Sequence, residues 1–299
     1  MKILVTGANG LLGQKLTFLL NQDAEADVIA TARQKINFGI QRGAFCALDI
    51  TDARQVDEVI GQWKPDVIIN TAAMTQVDQC ETEREKCWSN NVTAVEHLVK
   101  ACEKFVVRIL HISTDFIFDG SHGPLDESAT PHPLSYYGAS KLAAEEAIIK
   151  SKTDWAILRT VLVYGVTMDM SRSNIVLWVK KNLEEHKPIQ VVNDQWRTPT
   201  LAEDLAMGCH LAALKKSRGI YHVSGEEMMT PYDIAVRTAV FFNLDKSLIK
   251  KTDSTQFKQP AVRPLRTGFI IEKARKELGY EPHSFEEGLA IVEHQLHSG

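Results

Sequence analysis

The sequence lacks a cysteine framework. Its five cysteines (Cys46, Cys80, Cys87, Cys102, Cys209) are odd in number, scattered and never spaced as CxxC. That pattern excludes a disulfide scaffold and fits reduced thiols in the cytoplasm, which is the expected location. The ten histidines form no HExxH and no Cys/His cluster, so no metal site is expected. No block of Lys and Arg stands out and the net charge is −4, which argues against nucleic acid and anionic membrane as partners. Apolar runs stay well below the ~20 residues of a membrane span. The run at Met1–Val5 is too short for a signal peptide and leads straight into a glycine turn. Internal repeats and low-complexity tracts are also missing.

What remains is an ordinary globular composition, 44% hydrophobic and 24% charged, in 299 residues. That suffices for one large α/β domain with a smaller substrate-gripping region. Over the first two thirds, short β-branched runs alternate with helical stretches, the signature of a parallel sheet with crossover helices. The pattern predicts strands at Lys2–Val5, Asp27–Thr31, Gly43–Leu48, Asp66–Asn70, Arg108–Ile112 and Trp155–Leu158. Helices are predicted near Leu11–Leu19, Ala53–Trp63, Glu81–Glu103 and Tyr136–Ile149. After Gly165 the pattern changes: a polar stretch (Val166–Ser173) precedes a helix around Asn174–Glu185. Leu201–Leu214 and Ile220–Val223 read as a helix and a strand that could rejoin the sheet, and two helical patterns follow Gly225. The fold class is therefore a Rossmann-type, doubly wound α/β sheet with a discontinuous C-terminal lobe. The dinucleotide domain is assigned to 1–165 and 192–224, and the substrate lobe to 166–191 and 225–299. Trp63, Trp88 and Trp178 read as core residues on helices, and Cys80 and Cys87 as two turns apart on one helix and too far for easy bridging.

Strand, then Gly7-Ala8-Asn9-Gly10-Leu11-Leu12-Gly13, then helix is the context in which a GxxGxxG turn cradles a pyrophosphate. Glycine permits close backbone approach and the helix N-terminus offers free N–H groups. The second strand ends in Ala32-Arg33 without the carboxylate that would bind an NAD ribose. Arg33, helped by Lys35, can pair with a 2′-phosphate, so NADP(H) is the preferred cofactor with NAD(H) also accommodated. Asp49 and Ile50 after the third strand suit an adenine, and Thr71, Ala72 and Ala73 after the fourth leave room for the cofactor's middle.

Tyr137 and Lys141 stand four residues apart on a predicted helix and so share a face. A phenol can give a proton to a carbonyl undergoing reduction, and an adjacent ammonium stabilises the phenolate left behind. Ser113-Thr114-Asp115 sits at the carboxyl end of the fifth strand, where ligands of open parallel sheets bind, and its hydroxyls can steady the substrate oxygen.

These features recur in the segments TGANGLLG, ALDITD, NTAAMTQVDQCE, CWSNNVTAVEHL, HISTDFIFDG, YYGASKLAAEE, WAILRTVLVYG, VVNDQWRTPT and GIYHVSG. Through them the chain resembles the extended short-chain dehydrogenase/reductase family, in particular its branch that reduces nucleotide-linked 4-keto-6-deoxyhexoses. The resemblance implies Thr114, Tyr137 and Lys141 as a catalytic triad supported by Asn91. It also implies a nucleotide-sugar substrate facing Thr75, Val77, Thr114, Asp115, Asn174 and Arg197, and a homodimer. Arg197 reads equally as a diphosphate contact or as a structural salt bridge. Leu162 replaces the aromatic residue usual in that branch. Two other readings belong to the same resemblance: a nucleotide-sugar epimerase or dehydratase, and a non-catalytic NADP-binding regulatory subunit like that of methionine adenosyltransferase.

Overall fold

A computed structural model describes residues 1–36, 38–168 and 174–298. Eleven strands are present among them: β1 (Lys2–Thr6), β2 (Asp27–Ala32), β3 (Gly43–Ala47), β4 (Val67–Asn70), β5 (Arg108–Thr114), β6 (Trp155–Thr160), β7 (Val163–Tyr164), β8 (Ile189–Val192), β9 (Thr200–Leu201), β10 (Gly219–His222) and β11 (Ile249–Thr252). The helices are α1 (Leu11–Gln22), α2 (Ala53–Trp63), α3 (Val77–Thr82), α4 (Arg84–Trp88), α5 (Ala94–Phe105), α6 (Tyr136–Ile149), α7 (Ile175–Glu184), α8 (Ala202–Leu214), α9 (Pro231–Phe241), α10 (Glu272–Leu278) and α11 (Phe285–Ser298). The six strands expected before residue 160 all form, and α2 and α6 have the expected bounds. Of the polar stretch at Val166–Ser173, residues 169–173 lie outside the described residues.

Seven strands make one parallel sheet in the order β10-β6-β5-β4-β1-β2-β3. The chain leaves β1 in one direction to β2 and β3, and in the other to β4, β5 and β6. Strand order therefore reverses between β1 and β4, where open α/β sheets bind ligands beyond their carboxyl ends. Both faces are covered, which is why the strands are apolar on consecutive positions. One face packs Leu16 and Leu20 of α1 with Leu205 and Cys209 of α8. The other packs Val56 and Ile60 of α2 with Leu98 of α5 and Ile148 of α6. Ala274 and Leu278 of α10 and the following Tyr280 also enter the first of these cores, although the sequence pattern grouped them with the lobe. Elsewhere β8 and β11 form a two-stranded parallel sheet, and α7, α9 and α11 pack into two further cores, one of which also takes in Tyr164 and Leu201. Three α-helices follow Gly225 where two were expected.

The expected long helix Glu81–Glu103 is broken. Glu83 separates α3 from α4 with non-helical angles, and a wider, π-type turn, Ser89–Thr93, joins α4 to α5. Such turns gather at functional sites because the extra residue redirects side chains. Here Asn91 is turned inward and buried. The break also places Cys80 and Cys87 on separate helices, α3 and α4, where both are free thiols buried in one cluster with Tyr137. Trp88 and Trp178 are not core residues: they are 40% and 38% exposed.

Candidate active site

The turn after β1 is as tight as its glycines permit. Gly7 has φ +69°, and a Cβ there would meet the Ala72 backbone at 2.9 Å. A Cβ on Gly13 would stand 2.2 Å from the Gly7 carbonyl oxygen, so Gly13 lets α1 start directly against the turn. Asn9 Nδ2 donates to the Gln34 carbonyl (3.0 Å), tying this turn to the loop after β2. A cleft of about 780 Å³ opens above, lined by Gly7, Asn9, Gly10, Arg33, Lys35, Asp49, Ile50, Thr71, Ala72 and Ala73. The sequence-predicted cofactor residues thus converge, Leu11 and Leu12 lining the adjoining cavity and Gly13 lying beneath the turn. Asp49 Oδ1 is engaged by the Thr51 hydroxyl at 2.8 Å. Arg33 and Lys35 are exposed and form no ion pair among the described residues, as suits a phosphate contact.

The second cavity, about 360 Å³, also touches Gly10, Thr71 and Ala73, so the two spaces form one trough across the strand ends. Its walls include Thr75, Val77, Thr114, Asp115, Tyr137, Lys141, Leu162 and Asn174. Asn174 caps α7 by accepting from Leu177 N (3.3 Å), and its Nδ2 donates to the Gly165 carbonyl (2.7 Å).

Helix α6 carries the phenol and the amine. It begins at Ser135, whose hydroxyl accepts from Gly138 N (3.1 Å), as an N-cap should. Tyr137 is 7% exposed with its ring edge-on to Phe116 (5.7 Å). Burial raises its pKa, and a hydrogen bond with the Thr114 hydroxyl acts in the opposite direction. Lys141 Nζ donates to the Ile112 carbonyl (2.6 Å) and lies 3.0 Å from His111 Nε2. Burial lowers its pKa to about 8, with Glu145 opposing the shift. Lys141 is thereby brought toward neutrality, while the phenol is held in its protonated form.

Asn91 does not line the trough. Its Oδ1 accepts from Met74 N (2.8 Å), and its Nδ2 donates to the Met74 carbonyl and to Ser140 Oγ (both 3.0 Å). It therefore pins the loop after β4 to α6. Arg197 corrects an expectation. It is 4% exposed, lines neither cavity, donates from Nη2 to the Pro264 carbonyl (2.6 Å) and lies 3.4 Å from Asp115 Oδ2. It is a structural partner of Asp115 and not a diphosphate contact, because its donors are consumed by backbone carbonyls. Among the described residues no group of three or more His, Cys, Asp or Glu could hold a metal ion.

Sequence reasoning overlooked Gly138 and His111. Gly138 lies inside the YxxxK motif, and a Cβ there would stand 2.1 Å from the Phe116 carbonyl oxygen. Gly138→Ala is expected to push α6 off the turn that carries Thr114, lowering kcat about 10²-fold with cofactor affinity retained. Steady-state kinetics beside cofactor titration would check this.

The sheet, the glycine turn and the paired phenol and amine define an NAD(P)H-dependent oxidoreductase of the extended short-chain type. Residues 1–297 match the family described as the RmlD substrate binding domain, and the chain belongs to that family. It is 32% identical to a probable low-salt glycan biosynthesis reductase of Haloferax volcanii, across 98% of this chain and 97% of that one. It is 31% identical to dTDP-4-dehydrorhamnose reductase of Aggregatibacter actinomycetemcomitans, across 97% and 98% of the two chains. Methionine adenosyltransferase 2 subunit beta of Xenopus laevis is 32% identical, across 83% of this chain and 74% of its own length. Among solved structures, a dTDP-4-dehydrorhamnose reductase of Clostridium acetobutylicum superposes with TM-score 0.89 at 30% identity, covering 99% and 100% of the chains. The Bacillus anthracis dTDP-4-dehydrorhamnose reductase in complex with NADP gives 0.85 at 27% identity, covering 98% and 99%.

Proposed function

We propose that the protein transfers hydride from NADPH to the C4 ketone of a nucleotide-linked 4-keto-6-deoxyhexose of the dTDP-4-dehydrorhamnose kind. Tyr137 supplies the proton to the C4 oxygen. The observation that carries this reading is the joining of the two cavities at Gly10, Thr71 and Ala73. A dinucleotide laid along the glycine turn would bring its nicotinamide beside Tyr137, Lys141 and Thr114. Lys141 holds charge beside the phenol, Thr114 steadies the substrate oxygen, and Asn91 fixes the helix. Thr75, Val77, Asp115 and Asn174 border the sugar nucleotide. Segments 1–165 and 192–224 serve the cofactor, and 166–191 and 225–299 serve mainly the substrate.

A dehydratase reading is disfavoured by Asp115. Its carboxylate accepts from the Thr267 hydroxyl (2.5 Å) and faces Arg197, and the next residue is Phe116 rather than an acid. A carboxylate bound in this way is not placed to shuttle protons.

The test is NADPH oxidation, followed by absorbance, over a panel of nucleotide-linked 4-keto sugars that begins with dTDP-4-dehydrorhamnose. Turnover is expected. Inertness toward the whole panel together with stable binding to a methionine adenosyltransferase catalytic subunit would instead establish a regulatory role. Cofactor choice gives a second check. Arg33→Asp is expected to lower the NADPH-over-NADH preference by ~10–100-fold, the worth of a hydrogen bond to a charged group. An unchanged ratio of the two kcat/KM values would remove Arg33 from the phosphate site.

A further inference from the structure

Three polar side chains form a row across the middle of the sheet. Thr6 on β1 is in register with Asn70 on β4, and Asn70 with His111 on β5. None is more than 1% exposed. The residues before them on the strands, Val5, Ile69 and Leu110, are buried and apolar, so such a row is costly unless its groups are hydrogen-bonded. They are. Thr6 Oγ1 donates to Asn70 Oδ1 (2.6 Å), Asn70 Nδ2 meets His111 Nδ1 (3.0 Å), and His111 Nε2 meets Lys141 Nζ (3.0 Å). The row therefore begins beside the glycine turn and ends on the amine of the catalytic helix.

The chemistry of its members matters. A charged lysine has three hydrogens to donate, whereas a neutral one has two and a lone pair. The Ile112 carbonyl accepts from either. An imidazole can donate at one nitrogen while accepting at the other, and its tautomers exchange those roles. With Asn70 Nδ2 donating to Nδ1, the Nε2 hydrogen faces the lone pair of a neutral amine. With the amide turned, Nδ1 donates to Asn70 Oδ1 and Nε2 accepts from the charged ammonium. Asn70 has a donor and an acceptor at its tip, and a hydroxyl such as that of Thr6 can give or take. The row can reverse as a unit.

We propose that His111, backed by Asn70 and Thr6, is a positioning residue that keeps the buried Lys141 hydrogen-bonded both with and without its proton. This rests on the proposed role of Lys141 beside Tyr137. In one turnover the ketone carbon gains the hydride and its oxygen takes the phenolic proton. An N–H of Lys141 then returns a proton to the phenolate, and water in the open trough restores the lysine. Lys141 is briefly neutral, and the row with Asn70 Nδ2 donating to His111 Nδ1 satisfies it, whereas the turned row satisfies the charged amine. Burial holds His111 well below its ordinary pKa, so it serves as a neutral ring and not as a second cation. The other ionisable groups around Lys141 are committed elsewhere. Glu145 on α6 pairs with Arg159 of β6 (2.7 Å), Cys87 of α4 lies against Ser140 and Asn91, and Asp115 faces Arg197. The Cys80 thiol of α3 donates to the Met74 carbonyl (3.6 Å), and Tyr137 lies one turn earlier on α6.

The test reads Lys141 directly, by NMR titration of protein carrying 13Cε-lysine with the signal assigned through Lys141→Met. The pH profile of kcat is measured beside it. His111→Phe fills the space without a hydrogen bond, and the charged amine loses more than the neutral one. Lys141 is expected to release its proton at least about one pH unit lower, a tenfold larger dissociation constant, and the alkaline limb of kcat should follow. His111→Gln, which offers both a donor and an acceptor, should recover most of the shift. A drop in kcat with the Lys141 titration unmoved would make His111 merely structural and overturn the proposal. If His111→Phe does not fold, Thr6→Val is read in its place: a shift in the same direction supports the row, and an unmoved titration overturns it. Because the titration needs no substrate, failure to reduce any 4-keto sugar would count against the proposed function alone.

Discussion

Tyr137→Phe lowers kcat by about 10²–10⁴-fold while NADPH binds as before. The ring stays, so its edge-on contact with Phe116 and its place in the cluster with Cys80 and Cys87 are kept. Only the hydroxyl is lost, and with it the proposed proton donor to the substrate oxygen. Burial raises the phenol's pKa, so it holds its proton until charge develops on the substrate oxygen. Lys141, whose pKa is lowered to about 8, is mostly charged at neutrality and offsets the phenolate. Reduction should therefore slow as pH rises through about 8. Stability moves the other way. Below about pH 8 Lys141 is protonated in both folded and unfolded chains, and burying the charge costs stability. Between about 8 and the unperturbed 10.5 the unfolded chain keeps a proton that the folded one has released, so this cost fades as pH rises. Parallel kcat and denaturation profiles would show the opposite slopes.

Arg197→Leu destabilises the fold by about 3–5 kcal/mol, the usual consequence of stranding one member of a buried ion pair. Arg197 and Asp115 are 4% and 2% exposed, and water cannot replace the lost partner. The guanidinium also donates to the carbonyls of Trp196 and Pro264, so the C-terminal loop loses its anchor. Burial already raises the Asp115 pKa, and Arg197 is the main group opposing that rise. In the variant Asp115 should take up a proton at higher pH, and the stability deficit should shrink as pH falls. Asp115→Asn in the same chain should recover part of the loss at pH 7. Urea melts of the single and double variants would measure both effects. If the single variant melts like the parent, the ion pair carries no weight in the fold.

The core of the fold was legible in the sequence because its signals are local. Apolar runs marked the strands, and helical periodicity marked α2 and α6. GxxGxxG and YxxxK are weak signals singly, and pointed to the cleft through their strand-to-helix setting and their combination with Thr114 at a strand end. What escaped depended on distant partners. No local pattern says that Glu83 breaks a helix or that Ser89–Thr93 widens into a π-type turn, so the inward turn of Asn91 and the meeting of Cys80 with Cys87 were hidden. Arg197 was ambiguous for the same reason, because the carbonyls that claim it lie near residue 265. His111 read as one more strand residue. Only the register of three strands reveals what it touches.

The most direct measurement is the fate of the label when the reaction is run with NADPH carrying deuterium at both C4 positions of the nicotinamide. The account predicts one deuterium at C4 of the product sugar for each NADPH consumed, seen by mass spectrometry and proton NMR. Oxidation of the cofactor without label at C4, or label at C5 or C6 instead, would contradict it.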